Sequence, residues 1–208
     1  MKISTVAGKQ NKIYISVDGE YAFTVDVEYW YSCPYHGKDN IDDREQAAFL
    51  EAVGSRSAFI AGLRILSYRD HSEKELLQKL KQKGVKRIYA EKAVEMLKEY
   101  GYINDERVAE YYAKSLFERK GMSKNGIKNE LKRKGISGEM ADIVTERLDF
   151  DPILRIIELL NTKYSRYLDD EKGIRKTVAS LQRLGYRWSD IKSAFRQLEV
   201  ETEDNEDV

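Results

Sequence analysis

The chain has one cysteine, two prolines and two histidines in 208 residues, and its charged side chains cancel to a formal net charge of zero. Each scarcity excludes something. Cys33 alone cannot form an internal disulfide, so nothing calls for an oxidising compartment and a cytoplasmic setting is expected. Two prolines among 35% charged residues rule out collagenous and Pro-rich classes and favour helices with solvated faces. A zinc site needs about four ligands, more than Cys33, His36 and His71 can supply. No Gly-rich phosphate loop precedes a helix and no nucleophile stands out with its base, so no metal, no cofactor and no catalysis are expected. No stretch approaches the roughly 18 uninterrupted apolar residues of a spanning helix, and the N-terminal MKISTVAGKQNK lacks a signal-like apolar region, so no membrane partner is expected.

What is present is a pattern of charge along the chain. Residues 1 to 54 carry 5 basic and 9 acidic side chains, residues 72 to 136 carry 17 and 10, residues 137 to 162 carry 2 and 6, and residues 163 to 196 carry 9 and 4. The last twelve residues hold six acids and no base. Two basic segments thus alternate with acidic ones, while the zero sum argues against indiscriminate coating of nucleic acid.

The first thirty residues read as strands, Lys2 to Ala7, Lys12 to Val17 and Tyr21 to Val27, with Ile13, Ile15 and Val17 alternating. Asp18-Gly19 between two of them signals a tight hairpin, because a type I′ turn needs positive φ at both central residues. Trp30 to Asp42, with Pro34, Gly37 and Asn40, reads as a loop, and Asp43 to Val53 as a helix.

From Ser57 the pattern is helical, and it repeats. Leu80-Lys-Gln-Lys-Gly84, Leu131-Lys-Arg-Lys-Gly135 and Leu181-Gln-Arg-Leu-Gly185 place Leu four residues before Gly, with the glycines 51 and 50 residues apart. An apolar residue follows each Gly (Val85, Ile136, Tyr186), and Ala93, Val144 and Ala194 stand nine residues beyond it. Ser72-x-x-Glu75 is a capping box, and Asn104, Asp151 and Ser189 are N-cap candidates. The expected fold is mainly α: tandem three-helix repeats in an elongated array behind a small N-terminal antiparallel β module. The expected domains are 1–54 (β-hairpin module plus linker helix), 55–102, 103–150 and 151–200 (three-helix repeats) and 201–208 (an acidic disordered tail).

Within the repeats, Lys124, Lys128 and Lys132 recur every four residues beside Ile127 and Leu131, with Lys120 ahead of them in the same spacing and Arg133 and Lys134 behind. Lys172, Arg175, Lys176 and Arg183 share one side of a helix whose opposite side carries Ile174, Val178 and Leu181. These ten residues are the candidate surface for phosphate groups or an acidic protein. Lys74, Lys79, Lys81 and Lys83 scatter around the corresponding helix of the first repeat and form no such face. The tyrosines of 100–102, 111, 112, 164, 167 and 186, with Trp188, are expected to pack between units rather than to stack on bases.

Several segments resemble the RecX family in order and spacing: Leu66-Ser-Tyr-Arg-Asp-His-Ser-Glu-Lys-Glu-Leu76 running into Leu80-Lys-Gln-Lys-Gly84, Gly101-Tyr-Ile-Asn-Asp-Glu106 ahead of Ala109, and Lys120-Gly-Met-Ser123 into Glu130-Leu-Lys-Arg-Lys-Gly135. Tyr14 to Val25 is similar to the extra hairpin of longer members. The resemblance implies a curved repeat array, acting as a monomer, that lodges in the groove of the RecA filament on single-stranded DNA and restrains filament growth, strand exchange, ATP hydrolysis and co-protease activity. Some members also bind DNA directly, so single-stranded DNA, and with it double-stranded DNA, is an expected partner. The residues themselves leave a second reading open, a free-standing DNA-binding helical protein, since three-helix units with basic helices also describe helix-turn-helix modules. Ser123-Lys-Asn-Gly126 offers base-reading groups at a helix start in one repeat only, and Gly126 would weaken that helix.

Overall fold

A computed structural model describes residues 1–198 in full and the backbone of 199–206; the acidic tail expected at 201–208 lies outside the fully described residues. The chain divides into two compact units, Met1–Asp105 and a second from Glu106 onward.

The first unit begins with an antiparallel sheet of β1 (Ile3–Ala7), β2 (Lys12–Val17) and β3 (Glu20–Asp26) in that order. Both residues of the Asp18-Gly19 turn have positive φ, 51° and 91°, as the hairpin expectation requires. The β1–β2 turn uses Gln10 and Asn11 at φ 57° and 54°, left-handed positions that no glycine fills. Ile3, Ile13, Ile15 and Val25 face a core completed by Trp30, Ile41, Phe49 and Val53. Trp30, expected in a loop, sits in a short helix α1 (Val27–Ser32) capped by the Asp26 carboxylate, which accepts from the Tyr29 N–H. The linker helix expected over 43–53 and the first helix of the first repeat are one continuous α2 (Gln46–Leu66), so the expected boundary between 54 and 55 falls inside a helix. Helix α2 serves two cores because its length lets Phe49 and Val53 reach the sheet while Ala58, Phe59 and Ile65 pack on α3 (Glu73–Gln82) and α4 (Arg87–Glu99). Arg56 fastens it to the sheet through a 2.6 Å ion pair with Asp26. Ser72 caps α3 with the full reciprocal box, its hydroxyl accepting from Glu75 N–H and the Glu75 carboxylate accepting from Ser72 N–H.

The second unit holds two repeats: α5 (Asp105–Lys120), α6 (Lys124–Lys134) and α7 (Gly138–Glu146), then α8 (Pro152–Asn161), α9 (Glu171–Arg183) and α10 (Trp188–Glu206), with a 3-10 turn at Ser165–Tyr167. Asp151 caps α8 by accepting from the N–H groups of Ile153 and Leu154, as expected, with Pro152 in the first turn. The other C-terminal cap expectation is corrected: α10 starts at Trp188, two residues earlier than a Ser189 cap requires, so Ser189 lies inside it and its hydroxyl turns to Asp190. The repeats have cores of their own, around Ala113, Leu116, Ile127 and Leu131 and around Ile156, Leu160, Leu181 and Ile191, and Leu184 packs against both.

The Leu-x-x-x-Gly anchor has one physical meaning in all three repeats. The N–H groups of Val85, Ile136 and Tyr186 donate to the carbonyls of Leu80, Leu131 and Leu181 at 3.1, 3.0 and 3.2 Å, while Gly84, Gly135 and Gly185 donate to Lys81, Lys132 and Gln182. The glycines hold φ at 80°, 97° and 91°. These are Schellman terminations, in which a left-handed residue lets the next N–H reach back to an orphan carbonyl. Each anchoring Leu is fully buried, so the motif stops the second helix and pins its last turn to the core at once. Helix α4 ends the same way, Tyr102 donating to Leu97 and Gly101 to Lys98, an instance that a search at the repeat period passes over.

Candidate functional site

Each candidate cation lies on or beside the second helix of a repeat, and burial of the apolar stripe decides which way it points. In α6, Gly126, Ile127 and Leu131 are buried, so the most exposed arc is Asn125, Asn129, Lys132 and Arg133. Lys124 and Lys128 flank that arc, half-buried. Lys128 is committed to a partner: its ammonium lies 2.9 Å from the Asp142 carboxylate on α7, and this hydrogen bond holds the Asp142 carboxyl below the usual range. Arg133 pairs with Glu130, and Lys134 sits over the Tyr112 ring at 4.7 Å. Lys120, at the end of α5, is exposed. Among the described residues no ion pair within 4.0 Å engages Lys120, Lys124 or Lys132. One lysine of the stripe, Lys128, is therefore structural, and the exposed amides of Asn125 and Asn129 belong to the same surface. Sequence reasoning passed over Asn129 because it looked for charge.

Helix α9 is simpler. Gly173, Thr177 and Leu181 are buried, and Lys172, Arg175, Lys176 and Arg183 are all exposed on the opposite side around Ala179. Arg175 pairs with Glu171 one turn before it, and the Arg183 guanidinium donates to the Ala179 carbonyl at 3.3 Å. Lys172 and Lys176 have no ion-pair partner among the described residues. This face carries four exposed cations, with Glu171 beside Arg175.

The two helices meet end to side within the second unit. The N–H of Ser123, the N-cap of α6, donates to the Leu184 carbonyl just past α9 at 3.0 Å, and Ser123 is itself buried. Gly126 is there for clearance: a Cβ on it would stand 2.2 Å from the Leu184 carbonyl oxygen, and one on Gly185 would stand 2.4 Å from the Gly126 nitrogen. The Tyr186 hydroxyl donates to the Gly121 carbonyl at 3.0 Å, and the Arg155 guanidinium donates to the Phe117 carbonyl at 3.0 Å while lying over the Phe117 ring. Phe150 bridges Phe117 and Tyr186.

The aromatic expectation holds in part. Tyr164 and Tyr186 are buried, with Tyr164 hydrogen-bonded to Ser180, but Tyr100, Tyr102, Tyr111, Tyr167 and Trp188 are exposed at helix ends or on outer arcs, Tyr100 still standing edge to face on Phe59. Cys33 is buried, and the His36 ring packs on Tyr31 and Trp30. Among the described residues no helix is long and apolar enough to cross a membrane.

By class, this is a helical-repeat protein with a small N-terminal sheet, in which the second helices of the second and third repeats carry solvent-exposed cations. Residues 58–97 match the model for the first three-helix domain of RecX, and residues 104–144 the model for the second. The chain is 34% identical over 200 residues to regulatory protein RecX of Clostridium perfringens (strain 13 / Type A), covering 90% of each chain. It is 27% identical over 212 residues to that of Bacillus velezensis, covering 100% of this chain and 80% of the relative. A crystal structure of regulatory protein RecX shares the fold with a TM-score of 0.67 at 22% identity, over 94% of this chain and 98% of the other. RecX from Lactobacillus salivarius gives 0.59 at 22% identity, over 71% and 97%. The chain belongs to the RecX family of regulatory proteins.

Proposed function

We propose that this protein binds the RecA filament assembled on single-stranded DNA and restrains RecA's strand-exchange, ATPase and co-protease activities. Family membership supports the RecA reading, and one observation carries the proposed surface: four cations exposed on a single face of α9, with only Glu171 among them. In this reading the protein acts as a cytoplasmic monomer without cofactor, and Lys120, Lys124, Lys132 and the α9 cations meet phosphate groups or acidic protomer surfaces. Lys128, Arg133 and Lys134 contribute positive potential around them. Repetition matters because weak contacts made at once to successive protomers multiply.

The reading of repeat 2 as a free-standing helix-turn-helix DNA reader loses ground on geometry. A recognition helix reads base edges with its N-terminal residues. At the start of α6, Ser123 and Gly126 are buried against the end of α9, which leaves Asn125 exposed and Lys124 half-buried there. The test is RecA's DNA-dependent ATP hydrolysis and filament disassembly, measured with the wild-type protein and with Lys172→Glu/Lys176→Glu/Arg183→Glu. Inhibition by the wild type that the triple variant loses supports the proposal; no effect of the wild type on RecA refutes it.

A further inference from the structure

The first unit carries a surface that the basic helix faces do not account for. Between β3 and the second half of α2 runs a cleft of about 660 Å³, continuous through Tyr21, Ser57, Ala61 and Lys83 with a second cleft of about 670 Å³. It exists because α2 presents small side chains here: Ser57 and Ala61 form the floor, and the Ser57 hydroxyl accepts from the Thr24 N–H at 3.2 Å, holding the helix beside the strand.

Its walls join two chemistries. Three tyrosines, 14, 21 and 68, line the 660 Å³ cleft and remain 39%, 67% and 78% exposed. Tyr14 and Tyr21 stand edge to face at 6.4 Å, and the Tyr21 hydroxyl is tied to Thr24 at 2.8 Å, so these rings are held rather than free. Lys12, Arg64 and Lys83 line the same cleft, which contains no carboxylate; Glu20 lies in the adjoining one. Among the described residues no ion pair within 4.0 Å engages any of these three cations.

Open ring faces beside unpaired cations suit a strand whose bases are unstacked and whose phosphates need neutralising. An acidic peptide would use the cations but leave the rings idle, and duplex DNA would present no base faces to them. We infer that this cleft of the N-terminal module is a binding groove for single-stranded DNA, with Tyr21 and Tyr68 as stacking platforms and Lys12, Arg64 and Lys83 as phosphate contacts. The inference does not rest on the RecA reading or on α6 and α9. It assigns a role to the β module and explains why Lys83 stands apart from any helix face: it projects at the end of α3 toward the cleft.

The experiment is binding of a fluorescently labelled thymidine oligonucleotide to the full chain without RecA, at fixed salt and across a salt series. Tyr68→Ala is expected to weaken binding by about 5- to 150-fold, Tyr68→Phe to retain it because stacking needs the ring and not the hydroxyl, and Lys12→Glu/Arg64→Glu/Lys83→Glu to flatten the log–log salt slope by about 0.7 per cation. Lys172→Glu/Lys176→Glu is expected to retain the tyrosine dependence. Circular dichroism shows whether each variant is folded. Binding unchanged within twofold in both Tyr68→Ala and Tyr21→Ala, no binding by the wild type, or equal competition by poly-glutamate with no effect of the tyrosines overturns the groove. Loss of RecA inhibition with oligonucleotide binding intact counts against the proposed function alone.

Discussion

Gly84 and Gly185 end equivalent helices with the same hydrogen bonds and nearly the same backbone, φ 80° and 91°, yet their surroundings differ completely. A Cβ on Gly84 would meet nothing within 4 Å, whereas one on Gly185 would run into Gly126. In the first repeat the Schellman turn only stops a helix. In the third it is also a docking surface, with the backbone after α9 closing on the first turn of α6 and Tyr186 reaching Gly121. A motif can thus repeat for a local reason while its tertiary use diverges, and the first unit spends its outer surface on a sheet and a cleft where the second spends its own on contact between repeats.

The largest expected effect breaks that contrast directly. Gly126→Ala and Gly185→Ala should each destabilise by about 3 kcal/mol or more, because backbone cannot yield as a side-chain tip does, while Gly84→Ala should cost only the left-handed strain of about 1–2 kcal/mol. Urea unfolding of the three variants checks it, and equal losses would dissolve the distinction. Next is charge reversal. Lys172→Glu/Lys176→Glu/Arg183→Glu should weaken filament binding with little change in unfolding midpoint, since exposed substitutions usually stay within about 0.5 kcal/mol. Lys124→Glu/Lys128→Glu/Lys132→Glu should lower the midpoint as well, because a carboxylate at 128 faces Asp142. Chemical denaturation beside a binding titration separates the two faces.

The smallest effect belongs to the first unit. His71 is 3% exposed and held below its ordinary value by burial, with Arg69 adding to the effect, while Glu75 at 3.6 Å opposes it. The folded state therefore favours the neutral ring, and the unfolded chain takes up the proton first, near pH 6.5. His71's contribution is intact above about pH 6.5 and is lost as pH falls below that value toward the depressed folded one. His71→Gln should flatten the fall in stability between pH 7.5 and 5.5, measured as the difference from wild type; an identical slope would count against it.

Much of this was legible in the sequence because the repeats write their punctuation in residues with few alternatives. Leu four before Gly marks a Schellman turn, Ser72-x-x-Glu75 a capping box, and Asp18-Gly19 a hairpin. The face of α9 was legible because its apolar stripe leaves a single outer arc. What was hidden depends on neighbours distant in sequence. Gly126 reads as a weak helix residue until Leu184 is seen above it, Lys128 reads as free until Asp142 is placed opposite, and α2 reads as two segments because Gly54 and Ser55 interrupt its pattern while Tyr89 packs against that gap. The cleft beside β3 draws on residues from β2 to the end of α3, which no spacing rule joins.

Recognition of an assembly, as proposed, predicts different affinities for the assembly and for its separate parts. The most direct measurement is a titration at one stated salt concentration against RecA alone, single-stranded DNA alone, and RecA assembled on that DNA with a non-hydrolysable nucleotide. Measurable binding to the free strand and markedly tighter binding to the filament is the predicted result. Equal affinity for the DNA with and without RecA would contradict it.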